Sequence, residues 1–470
     1  FIRRCLGDKS WTLEGEGRRR TAFVYGNERE MMGIISESAQ LVNRHIVTQL
    51  LEHHFLLSHL YGLKQVLLLS QGDFATALME AFYPILSQPA TRVYAHTLHS
   101  LLDGALRSTN AQSLPSFVLE RIRVRLLKTR SHRVIMGDDA TAAEGEESGF
   151  NVVSLDYAID TPLSTIVHKE ALGQYRKVFF FLWQLKQIEY ELSQSWKAAG
   201  VVQHGLIREG EIDRMGVDAE SQKLLRKMAT TRQEMLLFTT NLQSYLLFEV
   251  IGNGWETLRQ KVENCQTLDE LIRAHDDYLM TITTKALLNS GYDQDAEHHQ
   301  LHQQIVATQE LVTVLDVARR FGQCQTHILQ RAQTSLERVQ RRRIVADQKI
   351  NRGQWGYDDK DYMKLKDDTT DTAIEDRCHF LTETDTVNQV VALSLEFDTA
   401  LRRLLEMLNE MINAPCGMEQ VTGPGRGRGR REGEDHHDAL RFLTFRLDFN
   451  DYYAAGRRNI TPLVDVVDSK

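Results

Sequence analysis

Histidines and carboxylates are the residue types in this chain that could do chemistry, and their spacing works against it. Among 17 histidines, His53-His54, His298-His299 and His436-His437 are adjacent pairs. Neighbours project from different faces of a helix, whereas a helical metal pair needs a spacing of three or four. These pairs therefore read as solvated or packed imidazoles, and His45 and His59 are too far apart in register to act together. Asp276-Asp277 and Asp358-Asp359 with Asp361 lack an apolar frame that would push a carboxyl pKa upward, so they read as solvated faces. No GxxxxGK[ST] or GxGxxG stretch cradles a phosphate, and no GxSxG elbow presents a nucleophile. A Ser/His/Asp set assembled from distant segments stays open at this point, but the reading is no enzyme, no cofactor and no metal centre.

Charge narrows the partners. Gly423-Pro424-Gly425-Arg426-Gly427-Arg428-Gly429-Arg430-Arg431 could touch RNA or an acidic surface through charge, yet it is short and the whole chain is acidic, with Lys+Arg 56 against Asp+Glu 64. That net charge of -8 gives no general reason to expect nucleic acid or an anionic membrane. Cys5, Cys265, Cys324, Cys378 and Cys416 are scattered and odd in number, which reads as reduced thiols in a cytosolic compartment. Apolar runs such as Val178-Phe179-Phe180-Phe181-Leu182-Trp183 fall far short of the roughly 20 residues of a membrane span. Phe1 is not a start methionine, so the chain reads as a fragment or ordered part of something longer.

The elements that would position any site are helices. With 42% hydrophobic residues the chain can bury more than one core, and only 7 prolines in 470 residues leave room for long helices. Apolar residues recur at three and four from Ile34 to Leu69, and Asp73 stands where it could cap the next helix, with Pro84 and Pro89 bounding a break. Thr91–Leu106 and Ser113–Leu127 read as two more helices, and 137–149 as a mobile acidic loop. Phe150–Tyr157 is an extended stretch ending near Pro162, predicted as a short strap or hairpin. Tyr175, Phe179, Leu182, Trp183 and Tyr190 stripe the helix that follows, a central core helix by their size.

Ser221–Val250 is the next amphipathic run, ended by Gly252 and Gly254. Thr267-Leu268-Asp269-Glu270 has capping-box spacing and opens a helix through Leu288. Leu301 to Ile350 is one long helix that turns basic around Arg341-Arg342-Arg343, and Asp376–Ile412 is another. The stretches 351–375 and 415–436 read as mobile loops. The fold class is therefore all-α, elongated multi-helix bundles with one short strap or hairpin near 150–160.

Near the end, Leu440, Leu443 and Leu447 fall at helical spacing, with Phe442, Phe445 and Phe449 about one residue round. Such a closing helix is either all core or core with one flank offered to a partner. Phe442, Phe445, Leu447 and Phe449 are expected to support the core.

Several stretches resemble the gamma-tubulin complex component family in order along the chain. Tyr61–Phe74 is similar to its helix–QGDF element, and Phe150–Tyr157 with Pro162-Leu163 and Tyr175–Tyr190 to its SLDY, GPL and aromatic-helix pattern. Ser244–Val250 through Trp255, His275, Asp276 and Tyr278 resembles its FEV…W…AH region. Gly353-Gln354-Trp355-Gly356 and Leu440–Tyr453 look most like the closing elements of the third, Spc98-like component. Departures are Gly149-Phe150-Asn151 in place of the family's WD, the aspartate-rich 358–371 and the Gly/Arg insertion.

The resemblance implies a structural scaffold that positions gamma-tubulin to nucleate microtubules, with GTP belonging to gamma-tubulin. It implies residues 1–28 as a remnant of the N-terminal lateral-contact domain, 29–455 as the gamma-tubulin-binding helical domain, and 456–470 as a tail. Implied partners are gamma-tubulin and neighbouring components, especially the second, in the cytoplasm and cytoskeleton at a microtubule organising centre, spindle pole or basal body. On that basis the expected contacts are Arg441, Arg446, Asp448, Asn450 and Tyr453 on the last element, with Asp156 and Tyr157 on the strap. A helical adaptor or tethering subunit without tubulin binding is the alternative.

Overall fold

The computed structural model describes residues 28–127, 149–213, 219–288, 298–351, 384–413 and 427–449, together with Tyr453. In chain order these form α1 (Glu28–Thr48), a π-helical turn over Gln49–His53, α2 (Leu56–Val66), α3 (Gly72–Leu86), α4 (Ala95–Ser108), the one-turn α5 (Ser116–Leu119), β1 (Ile122–Leu126) and β2 (Val153–Tyr157). Then come α6 (Lys169–Asp213), α7 (Ala219–Ser244), a π-helical run over Tyr245–Gly252, α8 (Asn253–Asn264), α9 (Leu268–Lys285), α10 (His298–Asn351), α11 (Thr384–Asn413) and α12 (Gly427–Leu447). Among the described residues the architecture is helical with one antiparallel strand pair, as the sparse prolines and helical periodicity predicted. The expected loops fall largely outside the described residues, as do the Trp355-Gly356 stretch and Asn450.

The chain divides into two compact units, each discontinuous in sequence. Unit one takes Phe1–Trp183 and Leu246–Leu288; unit two takes Gln184–Tyr245 and Asn289–Lys470.

Unit one is organised around the first half of α6. Tyr175, Phe179 and Trp183 are each about 1% exposed, and Phe179 stacks on Trp183 at 5.8 Å between ring centroids. Phe82 of α3 meets Trp183 edge-on at 6.1 Å, and Phe150, just before β2, lies 6.5 Å from the same ring. Aromatic groups of this size supply most of the apolar area a small core can bury. Helices α2 and α5 approach closely because Gly62 has no side chain; a methyl there would overlap Val118 Cγ1. Leu69 ends the turn before α3 in the left-handed region, at φ 46, where glycine is usual. The roughly 1–2 kcal/mol this costs is offset by burial of its side chain, which is 4% exposed.

Four local readings change in the structure. Ser113–Leu127 is not a helix but α5 followed by β1, because Ile122-Arg123-Val124-Arg125-Leu126 alternates apolar and charged side chains with the period of a strand. Its partner is β2, paired Ile122 to Tyr157 through Leu126 to Val153. Pro84 lies inside α3 rather than at a break. Proline cannot donate to the carbonyl of Glu80, and that residue is exposed, so water can take the place of the missing donor. Gly252 does not end a helix but closes the π-helical run leading into α8, where Gly254 leaves room for the Tyr278 ring. Finally, α12 begins at Gly427, within the segment read as a loop.

Unit two is a bundle with coiled-coil spacing. On α10 the buried line is Leu311, Val314, Ala318, Phe321, Gln325 and Ile328, separated alternately by three and four. α7 repeats the spacing with Leu224, Met228, Thr231, Met235, Phe238 and Leu242, and α11 with Val390, Ser394, Phe397, Leu401, Leu404 and Leu408. A period of about 3.5 keeps one seam facing its neighbour along a supercoil. The second half of α6 runs parallel to α10, since Ser195 meets Thr326 and, ten residues further along both helices, Gly205 meets Leu336. α12 runs antiparallel to α7, with Tyr245 against Phe442 and Asn241 against Arg446.

Trp183 Nε1 is buried without an acceptor among the described residues, so the indole contributes through its ring alone. Trp183→Ala is expected to cost ~3–5 kcal/mol, and Trp183→Phe less than half of that. Chemical denaturation of the two variants checks the difference.

Candidate interaction surface

The sequence-predicted residues fall into two groups, one in each unit. In unit one, Asp156 is spent holding the strand pair. Its Oδ1 accepts from the Tyr157 amide at 3.0 Å and its Oδ2 from Arg125 Nη1 at 3.3 Å. Tyr157 is 2% exposed, and its hydroxyl lies 2.6 Å from His59 Nδ1. Burial pushes the Tyr157 hydroxyl pKa up, and burial with the nearby Arg121 cation lowers His59 to about 4. The Tyr157 ring and hydroxyl thus serve the interior, and only the Asp156 edge is partly open.

The QGDF segment has a local job. Gln71 occupies the N-cap position of α3, while Asp73 Oδ1 accepts from the Phe74 amide at 2.8 Å and Oδ2 from the Asn110 amide at 2.9 Å. Those bonds, that to Asn110 first, hold the Asp73 carboxyl below its usual range and tie α3 to the end of α4.

A second histidine–tyrosine pair joins α6 to α9. Tyr175 OH lies 3.2 Å from His275 Nε2, and both residues are 1% exposed. Burial, reinforced by His168, lowers the His275 pKa to about 4. A dyad sealed this completely can stabilise packing but cannot meet a substrate. Among the described residues no group of three or more His, Cys, Asp or Glu side chains could hold a metal ion.

The chemistry open to a partner lies at the end of α12. Leu440, Leu443 and Leu447 are buried against the bundle. Phe445 and Phe449, expected in the core, are instead 59% and 60% exposed, their rings edge to face at 5.4 Å. The reason is angular: two residues along a helix turn the side chain by about 200°, so the leucine stripe leaves Phe445 on the far side. Phe442 is half-buried beside Tyr245, with the Arg446 guanidinium 5.2 Å above its ring.

The backbone under this patch is fixed. Asn241 Nδ2 donates to the Arg446 carbonyl at 3.0 Å, and the Asp448 amide donates to the Thr444 carbonyl at 2.9 Å. Asp448 Oδ1 in turn accepts from the Tyr453 amide at 2.8 Å, and Tyr453 is 7% exposed. Arg441 is exposed, 3.6 Å from Asp438. The structure therefore groups Arg446, Asp448 and Tyr453 around one helix end, with Arg441 about a turn and a half earlier. Asp156 and Tyr157 belong to the other unit. Phe445 and Phe449 are the surface residues that sequence reasoning missed; the leucine stripe, already sufficient to bury α12, was the available signal.

A family model described as "Gamma tubulin complex component C-terminal" matches residues 56–453. The chain is 33% identical over 305 residues to the spindle pole body component alp6 of Schizosaccharomyces pombe, covering 64% of this chain and 34% of that protein. It is 31% identical over 421 residues to the gamma-tubulin complex component 3 homolog of Xenopus laevis, covering 88% and 38%. With gamma-tubulin complex component 3 of Homo sapiens it shares 30% identity over 446 residues, covering 91% and 40%. The matched region is thus between a third and two-fifths of the length of these relatives.

The buried histidines set a pH dependence. Both fold as neutral imidazoles, with pKa values near 4 against 6.5 when exposed. Between those values the unfolded chain binds more protons, so stability is complete above about pH 6.5 and falls as pH drops toward 4. For His275 the loss at pH 5 is on the order of 2 kcal/mol. Unfolding free energies of wild type and His275→Gln, measured from pH 7.5 to 5, should show a flatter slope in the variant.

Proposed function

The chain belongs to the gamma-tubulin complex component family, and from that premise we propose that it is a non-catalytic scaffold subunit that binds gamma-tubulin and positions it for microtubule nucleation. The names of its relatives, which refer to gamma-tubulin complexes and a spindle pole body, support this reading. They also favour a third-component type, acting in the cytoplasm and cytoskeleton at a microtubule organising centre. Residues 29–455 would be the gamma-tubulin-binding region, and lateral neighbours would be other components, the second above all.

The observation that carries the proposal is the ridge at the end of α12. Large aromatic side chains are costly to leave in water, and here two sit on a backbone held by Asn241 and Asp448. Aromatic and arginine groups on a rigid support are the usual anchors of a protein interface. Phe445 and Phe449 would enter an apolar recess of gamma-tubulin, with Arg446 and Arg441 meeting carboxylates at its rim. Asp448 supports the ridge through the Tyr453 amide, and Asp156, in unit one, is a separate proposed contact. Affinity would come from shape and charge, with no chemical step on this chain.

Pull-down of purified gamma-tubulin by the full chain tests the proposal. Phe445→Ala with Phe449→Ala should weaken binding by on the order of 30-fold with circular dichroism unchanged, and Arg446→Glu should weaken it in a salt-sensitive way. No binding by the wild-type chain would favour a helical adaptor of another kind. Full binding by the double variant would move the contact off α12.

A further inference from the structure

A singly exposed leucine is ordinary on a protein surface, but Leu237 of α7 is 52% exposed at a position to which the seating of α12 gives meaning. Two contacts fix how these helices pass each other: Tyr245 lies against Phe442, and Asn241 Nδ2 donates to the Arg446 carbonyl. Four residues toward the start of α7 therefore correspond to about four toward the end of α12. At 1.5 Å per residue that step is about 6 Å along each helix. It carries Asn241 to Leu237 on one side, and Arg446 to the level of Phe449 on the other.

Side-chain direction agrees with this register. Residues four apart share a helix face, so Leu237 projects on the side where Asn241 reaches α12. Its neighbour Phe238 turns inward, 3% exposed and edge-on to Phe397 at 6.1 Å, which leaves Leu237 on the outer flank. On α12 the Asp448 amide still bonds the Thr444 carbonyl, so helical geometry holds to that point. Phe449, seven residues after Phe442, thus returns to the side of α12 that meets α7. Leu237, Phe445 and Phe449 therefore form one apolar surface drawn from two helices, all within unit two.

The two borders of this surface differ in charge. Beside Leu237 on α7 the exposed groups are Gln233 and Thr240, both uncharged, and Glu234 is half-buried. On α12, Arg441 and Arg446 are exposed cations. A carboxylate brought down on the α12 border would meet arginine. On the α7 border it would lose water and gain no counter-charge, which is costly.

We propose that Leu237 joins Phe445 and Phe449 in a composite docking surface whose occupant is an apolar element of gamma-tubulin with carboxylates along its α12 border and not along its α7 border. The proposal rests on the scaffold reading and adds to it a second contributing helix and an orientation. Because the Asn241 amide ties the two helices together, the surface is complete only while α12 is seated on α7.

Pull-down of purified gamma-tubulin by full-chain variants, with circular dichroism as the check on folding, tests this. Burying the exposed half of Leu237 is worth about fivefold in affinity, so Leu237→Ser should weaken binding by that factor. Val201→Ser, which removes an equally exposed apolar side chain from α6, should leave binding unchanged. Leu237→Ser combined with Phe449→Ala should weaken binding by less than the product of the two separate factors, as residues sharing one recess do. Thr240→Lys, which places a cation on the neutral border, should not strengthen binding. Unchanged binding by Leu237→Ser, or strict multiplication in the double variant, would overturn the composite surface while leaving the scaffold reading intact; strengthening by Thr240→Lys would overturn the orientation. No binding by the wild-type chain would overturn the scaffold reading, and this proposal with it.

Discussion

The stacking of Phe179 on Trp183 within one turn of α6 is the contact on which unit one depends. Phe82 reaches it from α3 and Phe150 from the lead-in to β2, so segments far apart in sequence converge on two adjacent rings. Around them some polar groups find partners and others, such as Trp183 Nε1, find none among the described residues. Tyr175 turns its hydroxyl to His275 and Tyr157 to His59, and both imidazoles stay neutral because a charge there would be stranded from water.

The same helix changes character along its length. Up to Trp183 it packs by large aromatics whose shapes admit one fit; beyond it, from Gln184, it packs by small and medium residues at heptad spacing. Shape specifies the first half. In the second, a size match is visible where Leu336 of α10 seats against Gly205. α12 draws on the bundle differently, burying a narrow leucine stripe and leaving its aromatic flank free. A helix anchored this way can lend a whole face to a partner without weakening its own seat.

Much of this was legible in the residues. The α6 aromatic stripe, the Thr267–Glu270 capping box, present with both reciprocal bonds, and the long α10 follow from period and side-chain type. β1 was hidden because Ser113–Leu127 was read for helical period alone, while its strand signal, arginine at alternate positions, spans only five residues. Phe445 and Phe449 were misplaced because hydrophobicity alone does not say which of two apolar stripes a helix will bury. The two-unit division was not legible at all. It depends on where α6 and α7 change neighbours, and a continuous helix carries no local mark of such a change.

That division bears on how the molecule is made. Because unit one needs Leu246–Leu288 as well as everything up to Trp183, its core cannot close during synthesis until the first helices of unit two have already left the ribosome. At about 5–20 residues per second, the buried Tyr175 hydroxyl waits several seconds for His275 to appear. A nascent chain paused between α6 and α9 would leave Tyr175 uncovered, making this interval the one in which a chaperone has most to do.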